Sequence, residues 1–288
     1  MKFRQILRRV WDELLRRCPE PPIRRRKVSS AKGGGTMRLF RLLGAISLLL
    51  LPVSAPAKEV GGVVALQRGA WITGAEGRSR LAPDMRISMK DVIETDGAGS
   101  AQLLFDDGTK IAIGPRSKLV IDEVLMRSST RASRFAVSAV SGSMRFITGK
   151  SPKSAYSIST PTATMGIRGT AFDVALRRNR RTDLVLFSGA VDFCSNEGCV
   201  RVTNACQTVT ATSFGKITQT EGDFQKGRLL AGRFPLIVKQ GKLQVAFHQP
   251  LERCGDGVGR VLDRASQSAP ADRNDRPVAA PTPPSPPI

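Results

Sequence analysis

Few residues in this sequence have a type and spacing that could do chemistry. The adjacent carboxylates Asp106 and Asp107 invite comparison with the paired acids of glycoside hydrolysis. Consecutive residues of a strand face opposite sides, so the two could not converge on one bond. Asp107-Gly108, lying between two apolar runs, reads instead as a tight hairpin turn. The single histidine, His248, has no nucleophile pattern around it, and no Gly-x-Ser-x-Gly, His-Glu-x-x-His or phosphate-loop motif occurs. The chain is therefore read as non-enzymatic, with no cofactor and no metal. Arg168, flanked by Gly166 and Gly169, is of more interest. A buried arginine needs a carboxylate partner, and Asp106 or Asp107 could supply a structural ion pair; the alternative is an arginine that binds an anion.

A denser feature is Arg177-Arg178-Asn179-Arg180-Arg181, placed between the β-type runs Phe172–Leu176 and Leu184–Phe187. Like charges repel and seek water, so this reads as an exposed hairpin loop. Its planar guanidinium groups suit an acidic envelope component, whether lipid headgroup, polyanionic glycan or acidic protein face. The plainer alternative is a solvated loop that only aids solubility.

Five cysteines are present: Cys18, Cys194, Cys199, Cys206 and Cys254. Loss of the N-terminal part would leave four, an even set that reads as two disulfides in an exported protein. Four cysteines allow three connectivities. The turn-like Ser195-Asn196-Glu197-Gly198 suits a bridge across a hairpin between Cys194 and Cys199, leaving Cys206 with Cys254. A zinc site is the weaker alternative, since there is no Cys-x-x-Cys pair and one histidine.

The formal net charge of +21 suggests nucleic acid, but it is unevenly spread. Residues 1–57 hold 13 of the 45 basic groups and 3 of the 24 acidic ones, so nearly half of the excess lies there. That region has the grammar of an export signal: Arg38 and Arg41, the apolar run Leu42 to Val53, then Ala55-Pro56-Ala57. The run is shorter than the ~20 residues a membrane-spanning helix needs. Cleavage after Ala57 and a periplasmic or secreted location are expected, which argues against nucleic acid and limits membrane contact to the periphery. Translation from Met37 would make 1–36 an over-long start. The alternative is a short cytoplasmic segment before an uncleaved anchor, giving a membrane-anchored signalling regulator.

These candidate residues sit among short β-type runs broken by glycine, from Val60 to about Thr218. Several alternate apolar with polar, as strands with one buried face do. The fold class expected is all-β, either a β-roll or solenoid-like domain or a sandwich. The chain divides into 1–36, a signal peptide at 37–57, a β domain at 58–219, an extension at 220–262 and a Pro-rich disordered tail at 263–288. Within the extension, Phe234–Val238 and Leu243–Phe247 read as two further strands and 255–259 as loop.

In order along the β domain come Asp91-Val92-Ile93-Glu94-Thr95, Ser100–Thr109 ending in Asp-Asp-Gly-Thr, Gly114-Pro115-Arg116-Ser117, Gly142-Ser143-Met144-Arg145-Phe146 and Met165-Gly166-Ile167-Arg168-Gly169-Thr170-Ala171-Phe172. In this order and spacing the chain resembles the FecR family over roughly 60–218. The resemblance implies a periplasmic β-rich domain of the kind used in iron-uptake signalling, where a membrane-spanning regulator connects an outer-membrane receptor to a cytoplasmic sigma factor. The segment before the apolar run is short for a sigma-binding domain. The expectation is therefore the stand-alone exported form, a sensor or interaction module that binds an envelope partner or ligand.

Overall fold

In the computed structural model, residues 58–268 are described, Arg68 and Arg178 excepted. The expected signal peptide, the segment before it and the chain beyond Ser268 lie outside the described residues. Seventeen strands carry the fold. They are β1 (Glu59–Gln67), β2 (Ala70–Gly74), β3 (Gly77–Arg80), β4 (Arg86–Ser88), β5 (Val92–Thr95), β6 (Ser100–Phe105), β7 (Lys110–Ile113), β8 (Lys118–Ser128) and β9 (Arg131–Ile147). Then follow β10 (Tyr156–Ser159), β11 (Thr164–Ile167), β12 (Ala171–Arg177), β13 (Arg181–Ser188), β14 (Val191–Cys194), β15 (Cys199–Val202), β16 (Thr208–Ala211) and β17 (Ile217–Gln219).

Two sheets face each other. One runs β4-β1-β6-β7-β9-β12-β13-β16-β17. The other runs β3-β2-β5-β8-β9-β10-β11-β14-β15. Every pairing is antiparallel except β9 with β10. Apolar side chains of both sheets form one core, with Phe105 of the first sheet 4.8 Å from Phe135 of the second. The chain alternates between sheets, a hairpin in one followed by a hairpin in the other, so the sandwich is wound like a roll. The all-β expectation holds, and the structure combines the two architectures the sequence left open.

β9 belongs to both sheets: its first half pairs with β8 and β10, its second with β7 and β12. The crossing falls at Gly142, where φ is +81° and an added Cβ would collide with the Ser117 Cα. Only glycine fits both demands. The hairpin read at Asp107-Gly108 joins β6 to β7, with the Gly108 N–H donating to the Phe105 carbonyl at 2.8 Å.

Burial explains why the strand sequences differ. In the second sheet β11 alternates exposed and buried residues, since one face meets solvent. In the first sheet β12 and β13 are buried almost throughout, because their outer face is covered as well. The cover is the C-terminal segment: α1 (Asp223–Arg233), α2 (Pro235–Val238) and α3 (Asp256–Ser268) with short 3-10 turns between. This corrects the reading of two further strands and a loop there, and α3 runs into the stretch read as disordered tail. Phe234-Pro235 starts a helical turn, proline being suited to the first helical position. Gly257 and Gly259 sit inside α3, where packing overrides their poor propensity. Val258 and Leu262, one turn apart, pack with Leu230, Phe234, Val185 and Phe187. Gly227 lets α1 approach α3 closely, since a Cβ there would meet Val261 at 3.1 Å.

The covered face also buries charge. Arg145 of β9 lies fully buried beside Asp173 of β12, its register partner, with Nε to Oδ1 at 2.7 Å and Nη2 to Oδ2 at 2.9 Å. Its Nη1 donates to Gln240 Oε1 at 2.6 Å and to the Phe247 carbonyl at 3.0 Å, and its guanidinium stacks 5.0 Å over the Phe187 ring. Burial pushes the Asp173 carboxyl up, against the pull of Arg145. Arg233 to Asp183, at 3.0 Å, and the Gln244 N–H to Gln102, at 2.8 Å, repeat the arrangement on neighbouring strands.

Two disulfides close the structure, Cys194–Cys199 and Cys206–Cys254. The second ties the loop before β16 to the segment before α3 across 48 residues, the first across 5. Loop-closure entropy then predicts losses of about 4 kcal/mol and about 2 kcal/mol when each is opened. Cys206→Ser with Cys254→Ser should therefore lower the guanidinium midpoint more than Cys194→Ser with Cys199→Ser. The buried ion pair gives a second test. Asp173→Ala leaves Arg145 uncompensated and should cost about 3–5 kcal/mol, while Arg145→Met with Asp173→Leu should recover roughly half or more of that loss. Denaturant unfolding of the two variants checks the order.

Candidate functional site

The β12–β13 hairpin puts Arg177 directly opposite Arg181. Like charges facing across a strand pair destabilise it. The loop between them is tight: the Arg180 N–H donates to the Arg177 carbonyl at 3.1 Å, and Arg180 has φ +52°. Glycine or asparagine usually takes such a left-handed position, which costs other residues about 1–2 kcal/mol. Arg116, in the turn between β7 and β8, is also left-handed, with φ +53°, its N–H donating to the Asp96 carbonyl at 2.7 Å. Both strained arginines line one groove of about 530 Å³ with Arg177 and Arg181, over a partly apolar floor of Val140, Pro161 and Leu176. The crossing of β9 at Gly142 forms another wall.

Among the described residues none of these four arginines makes an ion pair, whereas Arg78, Arg86, Lys118, Arg134, Arg168 and Arg201 each do. Arg86 reaches Glu59 and Asp106, Arg134 reaches Glu123, and Lys118 reaches Glu94. The hairpin expected around Arg177, Arg180 and Arg181 is thus present and exposed, and Arg178 lies outside the described residues. No local pattern singles out Arg116. It reads as one turn residue among many, and only the fold brings it to the hairpin.

The ion pair expected between Arg168 and Asp106 or Asp107 is not formed. Arg168 follows β11 directly and is exposed. Its neighbour across the register is β14, so it pairs with Asp192 at 3.1 Å, as does Arg201 at 2.6 Å. These two guanidinium groups hold the Asp192 carboxyl below the usual range. Asp106 and Asp107 lie in the β6–β7 turn of the other sheet. Asp106 binds Arg86, and Asp107 accepts from the Thr109 N–H at 2.9 Å, Ser151 Oγ at 2.6 Å and Tyr156 OH at 2.9 Å. Among the described residues the fully buried arginine is Arg145. Its signal was a charge between Met144 and Phe146 in an apolar run, matched by Asp173 in another. His248 faces the Leu243 carbonyl at 3.0 Å and forms part of the C-terminal cover. Among the described residues no three His, Cys, Asp or Glu side chains assemble as a metal site.

The family model described as FecR protein matches residues 91–192. Two crystal structures of a candidate anti-sigma factor from Parabacteroides distasonis, at 1.65 Å and 2.50 Å, are similar to this chain at 16% identity and a TM-score of 0.39. Each covers 49% of this chain, which spans 63% and 62% of theirs. No curated protein matches. The matched stretch runs from the start of β5 into β14, within the region where the sequence resembled that family, and the sandwich continues beyond it on both sides. Residues 91–192 of this chain are a FecR domain.

Proposed function

We propose that the chain is a non-enzymatic signalling or regulatory module of the bacterial envelope, and that it recognises an anionic envelope component through the arginine groove. The FecR domain supports a signalling or regulatory role. The observation that carries the binding half is the convergence of Arg116, Arg177, Arg180 and Arg181 on one groove without an acidic partner among the described residues. Backbone strain at Arg116 and Arg180, together with like charges facing across the hairpin, is a cost that an anion in the groove would offset. Two disulfides suit an oxidising compartment, in keeping with cleavage after Ala57 and release into the periplasm.

Replacing Arg177, Arg178, Arg180 and Arg181 by Ser should weaken binding to anionic envelope extracts by about tenfold or more at low salt, with circular dichroism unchanged. Binding of the unaltered chain should fall steeply as salt rises, since exposed charges are screened over about 8–10 Å near physiological ionic strength. Equal binding by the two proteins at low salt would reduce the hairpin to a solubility feature.

A further inference from the structure

We infer that the ligand of this groove is a linear acidic oligosaccharide, a sugar chain carrying carboxylate or phosphate groups, whose rings continue into a second, uncharged cleft walled in part by Thr212 and Ser213 of the hairpin that carries Phe214. This rests on the reading of the arginine groove as the binding surface. The groove shares Pro161 and Thr162 with a neighbouring cleft of about 430 Å³. That cleft is lined by hydroxyl and amide groups, among them Thr164, Ser195, Asn196, Thr212 and Ser213, and by no charged side chain. Each cleft falls in the ~300–1,000 Å³ range of small-molecule sites, so the pair suits a chain of sugars better than a single one.

The two halves ask different things of a ligand. Four guanidinium groups ask for anionic oxygens, which they grip in bidentate fashion. Hydroxyl and amide walls ask for a neutral ligand part rich in donors and acceptors. An acyl chain continuing from a lipid headgroup would meet those polar walls and leave them without partners. The flat face of an acidic protein would leave both clefts filled with water. A sugar chain satisfies each half. Thr212 Oγ1 adds to the case, being buried at the cleft with no hydrogen-bond partner. Phe214, at the tip of the β16–β17 hairpin, is 82% exposed. An exposed aromatic ring offers the apolar surface on which the C–H face of a pyranose packs, removing both from water.

The walls are fixed in advance. Pairing of Thr182 with Ala211 brings the tip of the β16–β17 hairpin to the same end of the sandwich as the arginine hairpin. The Cys194–Cys199 bridge closes the β14–β15 turn, and Ser195 Oγ donates from that turn to the Gly215 carbonyl at 2.6 Å. Hydroxyl contacts from Thr182 to Thr160 at 2.9 Å and to Thr162 at 2.7 Å hold the loop that separates the clefts. A pre-ordered site loses little freedom when it binds.

The test is calorimetric titration of the full chain with hexamannuronate, a phosphorylated oligomannose, neutral mannohexaose and phosphatidylglycerol vesicles. At least one acidic oligosaccharide should bind, and mannohexaose should bind about tenfold more weakly or not at all. Phe214→Ala and Asn196→Ala should each weaken the acidic sugar about five- to tenfold without changing its salt dependence, whereas Arg180→Ser with Arg181→Ser should remove both affinity and salt dependence. Arginine-dependent binding of vesicles with no binding of either acidic sugar would overturn the inference and leave the arginine groove standing. Acidic-sugar binding indifferent to Phe214→Ala and Asn196→Ala would also overturn it. If no probe binds in an arginine-dependent way, both readings fall.

Discussion

A fully buried arginine in the middle of a sheet must be answered on every side, and in this protein the answer to Arg145 organises the molecule. Asp173 neutralises it across the β9–β12 register, but two carboxylate oxygens cannot occupy all five of its donors. Gln240 and the Phe247 carbonyl accept the remaining reach of Nη1, and both come from the C-terminal segment. A pair of this kind contributes little net stability against an apolar alternative, yet it is costly to leave half made. It therefore acts as a registration device. The C-terminal segment must dock with Gln240 over Arg145, Arg233 over Asp183 and Gln244 over Gln102. The apolar contacts of Leu230, Phe234 and Val258 supply the driving force, and the Cys206–Cys254 bridge fixes the result.

With the outer face of one sheet covered and the space between the sheets filled by core, the recognition proposed for this chain falls to the turns at one end of the sandwich. Rigid scaffolds commonly place binding residues on such turns. Here the strand that bridges both sheets also builds the site. β9 bends at Gly142, and that bend forms a wall of the groove in which Arg116 and Arg177 meet. The residues that hold the fold and the arginines that line the groove are separate sets. Arg145 and Arg181 share a side chain and little else: the first is enclosed and paired, the second exposed and without an acidic partner among the described residues.

How much of this could be read beforehand depends on how local the signal was. The Asp107-Gly108 hairpin, the arginine hairpin and the Cys194–Cys199 bridge all involve partners within a few residues, and short-range chemistry predicts them. The FecR domain was legible because several short motifs keep their order. The ion pair of Arg168 was misplaced because it depends on which strand lies next to β11. That neighbour is β14 of the same sheet, and no local pattern states it. Arg145 and Asp173 stood in plain view within apolar strands, yet a charge on a strand ordinarily means a solvated face. Its burial follows only once helices cover that face. Those helices were misread because Phe234–Val238 carries β-branched and aromatic residues and α3 contains two glycines, so propensity pointed away from helix and tertiary packing decided otherwise.

The C-terminal segment and the sandwich form one cooperative structure registered by Arg145. Native-state hydrogen exchange of the full chain, followed through increasing sub-denaturing guanidinium, measures this directly. Amides of 234–247 should converge on the same opening free energy as those of β9 and β12, because neither the segment nor the buried pair can open alone without exposing an unpaired charge. Exchange of 234–247 through a separate opening of lower free energy, with β9 and β12 still protected, would mean that the segment opens independently of Arg145.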